Sequence, residues 1–122
     1  MALNRIILRL ARNPGFPDGD MHQGYTIIAP LNGENHLDIE EWREKKTDCT
    51  VLRFHPDDAE KADGLLTHRG SHWFFHYDEE SEGPDEAAHR LGDHVFIQGE
   101  YMSVRHHAEE ALTYIISEVS PV

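Results

Sequence analysis

The chain has 122 residues, of which 39% are apolar and 28% charged, and its 23 acids against 11 bases give a formal charge of −12. That length suits one domain, 1–122, and the composition is globular, which sets aside collagen-like, coiled-coil and disordered classes. The negative field repels a phosphate backbone and an anionic membrane surface, so nucleic acid and membrane are poor partners. Basic proteins, cations and neutral ligands remain. The charge is uneven: Arg5, Arg9 and Arg12 precede the first acid, Asp18, whereas residues 78–93 hold seven acids and one Arg. Ten histidines would shrink the net charge on mild acidification. Cys49 is the single cysteine, so no intrachain disulfide forms and a reducing, cytoplasmic setting is expected.

In chain order, residues 5–12 read as a strand with Ile6, Leu8 and Leu10 on one face. Arg residues interrupt this opening stretch too often for the apolar core of a secretory signal. The run 14–20, PGFPDGD, is a turn-rich loop, and 24–31, GYTIIAPL, is a second strand ended by Pro30 and Asn32-Gly33. Residues 38–46 predict a helix. Asp38 stands as N-cap, Glu41 completes a capping box, and Leu37 with Trp42 has the spacing of a hydrophobic staple. Glu41 and Lys45 are placed to pair, and Trp42 is expected to anchor the helix on the sheet.

The alternating run 49–56 predicts a strand with Leu52 and Phe54 inward and Arg53 outward. Two further β runs flank Arg69-Gly70, a hairpin turn. An acidic loop follows at 78–92, with one or two helical turns at 85–91. The runs DHVFIQ and GEYMSVRH are β-rich, with Gly99 at a bulge or tight corner. The last segment fits a helical stripe (Ala108, Ala111, Leu112, Ile115, Ile116, Val119) as well as a strand. The β-branched and aromatic run 113–116 favours a strand at 111–119, entered through a turn at 106–110. These elements predict a mainly β (α+β) domain: a small curved sheet or partly closed barrel of six or seven strands with one short helix.

The segments ARNPGFPDG, HQGYTIIAPL, LDIEEWR, HRGSHWFFHYD and GDHVFIQGEYMSVR, in that order, resemble a family of small bacterial proteins, chiefly α-proteobacterial. The likeness spans nearly the whole chain. Such relatives carry an Asp-Gly-type turn before the last strand, where this chain has His107-Ala108-Glu109-Glu110. The family has no activity attached to it, so the resemblance implies no catalytic residue, cofactor or partner.

Five constellations bear on chemistry. His68, His72 and His76 have even numbers and are expected to share a sheet face, with His94 and His106 on neighbouring strands. Zinc or a similar divalent metal takes imidazoles at ~2.0–2.1 Å, whereas strand residues i and i+4 lie about 13–14 Å apart, so a site needs cross-strand pairs. No HExxH, CxxC or finger spacing supports it. A calcium loop would begin Asp78, Glu80, Glu82, Gly83, but Pro84 and His89 stand at the seventh and twelfth positions and break the pattern. Cys49 and Ser71-His72 are the nucleophile candidates, without a GxSxG elbow. There is no phosphate-binding glycine motif, and Tyr101-Met102-Ser103 lacks the preceding Arg of flavin-binding barrels. Finally, Trp73, Phe75 and Tyr77 alternate with His72, Phe74 and His76, placing rings on both faces of one strand.

The resulting expectation is a non-catalytic interaction or accessory module in the cytoplasm. Its contact surface would combine Trp73, Phe75 and Tyr77 with the acids Asp78, Glu79 and Glu80, which would steer a basic protein partner. The alternative is a histidine-based metal-binding protein or metal-dependent enzyme using His68, His72, His76 and His94. A homodimer through an edge strand is compatible with either.

Overall fold

A computed structural model describes residues 3–57, 61–69, 72–77, 86–87, 95–105 and 111–122. They build one antiparallel sheet whose strands are β1 (Leu3–Leu10), β2 (Asp20–Pro30), β3 (Thr50–Phe54), β4 (Ala62–Arg69), β5 (His72–Tyr77), β6 (Glu86–Ala87), β7 (Tyr101–Arg105) and β8 (Ala111–Pro121). Seven of these are full strands and β6 is a two-residue pairing. The order is β6-β5-β4-β3-β2-β1-β8-β7, so the first six form a meander and β8 returns to lie beside β1. The sheet curls into a partly closed barrel, bringing β6 and β7, at its two ends, within 8 Å of each other at Cα. Curling lets short amphipathic strands bury one face against one another without a second layer.

The inner face carries Ile6, Leu8 and Leu10 from β1, Tyr25, Ile27 and Ala29 from β2, and Val51 from β3. Leu66, Trp73, Phe75, Met102, Val104, Tyr114 and Ile116 complete it from the remaining strands. The β reading of the C-terminal segment holds, because β8 supplies the missing partner of both β1 and β7. A helix there would leave the backbone donors of β1 unpaired along one edge.

Two bulges give β1 its bend. On one side the register with β8 shifts between Ile7 and Leu8, and the extra residue, Ser117, donates its hydroxyl to the Ile7 carbonyl at 3.2 Å. On the other side Arg9 pairs with Gly24 but Leu10 with Asp20. The excursion between them is tied down by Asp20, which accepts from the His22 backbone N–H and the Gln23 amide. Those two donors hold the Asp20 carboxyl below its usual range.

The helix α1 (Ile39–Glu44) is shorter than its sequence pattern, because Lys45 leaves helical geometry and a 3₁₀ turn (Lys46–Asp48) follows. Asp38 caps it, accepting from the Glu41 N–H at 3.2 Å. The capping box is only half made: the Asp38 N–H donates to the Pro30 carbonyl, and Glu41 pairs with Lys45 at 3.4 Å. Leu37 and Trp42 are both buried in the core, as a staple requires.

Three further expectations are corrected. Arg53 faces inward and Leu52 outward, because β3 pairs Arg53 with Tyr25 and Leu52 with Thr26; the alternation is present but its phase is reversed. Glu86–Ala87, the described part of the 85–91 stretch expected to hold helical turns, pairs with Phe75 and Phe74 as strand. Residues 95–97 form no strand, and the ladder starts at Tyr101, after the turn in which Gly99 has φ +98°. The turn expected at 106–110 and most of the acidic loop lie outside the described residues.

Candidate interaction surface

The β4–β5 register decides where the sequence-selected residues fall. It pairs His68 with Trp73, Leu66 with Phe75 and Leu65 with His76. Paired residues share a face, so residues of opposite parity lie together across this hairpin. His68 therefore lies on the inner side with Trp73, whereas His76 is exposed on the outer side beside Leu65. The expectation that even-numbered histidines share one face is corrected, and His68 and His76 cannot ligate one ion through the sheet. His72 pairs with Arg69 at the end of the ladder, and His94 lies outside the described residues. Among the described residues, no three His, Cys, Asp or Glu side chains are grouped to hold a metal.

Trp73 and Phe75 are core residues, 4% and 0% exposed, which corrects their expected place on a contact surface. Trp73 packs edge-on to Trp42 at 5.5 Å and against His68 at 4.6 Å between ring centroids. The Trp42 indole N–H donates to the Leu66 carbonyl at 2.9 Å, and Lys46 lies 5.1 Å above its ring. Phe75 packs on Tyr25 at 5.0 Å, and Tyr25 on Tyr114 at 5.2 Å. The strand is thus covered on its inner side by α1 and by facing rings. The backbone of Tyr77 pairs with Gly64; Asp78, Glu79 and Glu80 lie outside the described residues.

Cys49 is fully buried, and its thiol is pushed up to about 11, first by that burial and then by the neighbouring Asp48 carboxylate. At neutral pH it is a protonated thiol, not a nucleophile.

The outer face holds what the sequence reading placed elsewhere. One row runs across the strands as Tyr101, Ile115, Arg9, Gly24 and Phe54. A second runs Glu118, Ile7, Thr26, Leu52 and Asp63. Tyr101 is 57% exposed, Leu52 48%, and Met21, at the β1–β2 excursion, 69%. Ile7, Phe54 and Ile115 are half-buried between them. The Arg9 guanidinium is committed within this surface, donating to the Met21 carbonyl and stacking 5.5 Å over Phe54. The Leu52 row ends in a carboxylate on each side, Glu118 and Asp63, both exposed. The sequence hid this surface because Leu52 and Phe54 are the more apolar set of β3 and read as its inner face.

Comparison of the chain with protein-family models, curated proteins and solved structures gives no match. No helix among the described residues is long and apolar enough to cross a membrane.

Proposed function

We propose that this protein is a non-catalytic, cytoplasmic interaction module that binds a basic protein partner through the outer face of its sheet. The observation that carries the reading is the apolar row on that face, with Leu52 and Tyr101 about half exposed in rows that a folded monomer has no need to leave open. The occupant follows from charge. The Leu52 row is bracketed by Glu118 and Asp63, and the chain carries −12, so a second copy is repelled while a segment of lysines around an apolar centre is attracted. The half-buried apolar side chains would supply contact area and the flanking carboxylates the register.

The test uses the full chain and an alternating lysine/leucine peptide, followed by amide chemical shifts. Shifts centred on Ile7, Leu52, Asp63 and Tyr101, weakening as salt is raised, are expected. Leu52→Asp should lower affinity about tenfold, a typical loss at a central apolar contact. Absence of binding, shifts elsewhere, or equal binding of a glutamate/leucine peptide would overturn the reading. So would a stoichiometric transition metal in the purified protein, which would favour the histidine-based alternative.

A further inference from the structure

The connection between β1 and β2 is more elaborate than a meander turn requires. Asn13 is buried, and its side chain both donates to the Thr113 carbonyl at 3.0 Å and accepts from the Thr113 N–H at 2.9 Å, so it pairs with β8 as a strand would. Pro14-Gly15 then reverses the chain, with Gly15 at φ +87° and reciprocal backbone bonds between Asn13 and Phe16. Phe16 packs against the core, and Gly19 fits under the Leu10 carbonyl where a Cβ would collide. This fixed loop forms one wall of an open groove of about 440 Å³, lined by Arg12, Pro17, Asp18 and Tyr101.

The two charges in that groove are opposite and are not used on each other. Arg12 donates through Nε to the Pro17 carbonyl at 3.0 Å, which orients its guanidinium and leaves the outer fork of N–H groups without a partner among the described residues. Neither Arg12 nor Asp18 has an ion-pair partner among the described residues. Tyr101 adds an exposed ring. A cation, an anion and a ring around a volume within the ~300–1,000 Å³ of small-ligand sites match a molecule that carries both charges and an apolar group.

We propose that this groove is a binding site for a small zwitterionic ligand of the α-amino acid class. The ligand's carboxylate meets Arg12, its ammonium meets Asp18, and an aromatic or aliphatic side chain lies on Tyr101 and Pro17. The site shares Tyr101 with the proposed partner surface, but Arg12 and Asp18 lie outside both rows of that surface, so shifts and variants at these two residues test it independently of the partner reading.

Titration of the full chain with L-phenylalanine, phenethylamine and 3-phenylpropanoate, read by amide chemical shifts, tests it. The three probes share the phenyl group and differ in carrying both charges, only the cation, or only the anion. L-Phenylalanine is expected to give saturable shifts at Arg12, Asp18 and Tyr101 with Kd near ~1 mM, and each single-charge probe should bind about tenfold more weakly. Arg12→Gln should bring L-phenylalanine down to the level of phenethylamine, and Asp18→Asn down to that of 3-phenylpropanoate. Unchanged core amides, such as those of Ile6 and Tyr25, show that the variants fold. Absence of saturation, shifts centred elsewhere, or equal response to all three probes would overturn the proposal.

Discussion

Cys49 stands just before β3, between a 3₁₀ turn and the first inward residue of the strand, and has no exposed surface. Its thiol is expected to resist a disulfide-exchange reagent at about pH 8 in the native protein and to react on unfolding in urea. The same burial gives a pH dependence with a definite sign. The unfolded thiol ionises near its ordinary 9.0 while the folded one keeps its proton to about 11, so native stability should fall as pH rises through that window. Cys49→Val, which cannot ionise, should lose that part of the slope in urea titrations. The sequence offered this residue as a nucleophile candidate, but a lone Cys beside an alternating strand behaves as a small hydrophobe, and the structure buries it fully. Its neighbours were harder. Arg53 read as solvent-facing because it is charged, yet it is 8% exposed and shares the inner face with Tyr25. Local hydrophobicity points the wrong way on that strand; the row already laid down by β2 sets its facing.

At the scale of elements, local chemistry was a good guide wherever one short segment settles the matter. The Asp38 cap, the Glu41–Lys45 pair and the burial of Trp42 all appear as their spacing implies. Where a backbone group finds a tertiary partner, local rules give way: the Asp38 N–H goes to Pro30, so Glu41 does not close the box. The β1–β2 pair shows the reverse dependence, of an element on one residue. Gly24 is buried opposite Arg9, and a Cβ there would run into the Leu8 carbonyl oxygen and the Phe54 ring at 2.9 Å. Gly24→Ala should therefore cost about 3 kcal/mol or more in urea unfolding, through forced separation of β1 from β2. The contrast is Gly33→Ala, where the space around the missing Cβ is open; it should shift stability by no more than about 1 kcal/mol.

For the molecule as a whole, the decisive contact joins the two ends of the sequence. β8 lies between β1 and β7, and Asn13 pins the β1–β2 loop to Thr113 with two side-chain hydrogen bonds and donates a third to the Ala11 carbonyl. Asn13→Ala removes all three and leaves the Thr113 N–H without its partner. A loss of about 2–3 kcal/mol in denaturant unfolding is expected, with the β7–β8 end opening first in hydrogen exchange. Composition, alternation and turn chemistry sufficed to determine a mainly β domain with one capped helix, because those signals arise within a few residues. They also assigned Trp73 and Phe75 to a contact surface, whereas the structure buries both in the core. Only the tertiary structure decided which way each strand faces: shifting the pairing by one residue exchanges every inward side chain for an outward one, and the shift is set by hydrogen bonds to a neighbour far away in sequence. The β4–β5 register placed His68 and His76 on opposite sides and buried the rings at 73 and 75, while the β2–β3 register turned Leu52 to the outside and the β7–β8 register Tyr101. The exposed face was therefore invisible to a reading that judged each strand by its own hydrophobicity.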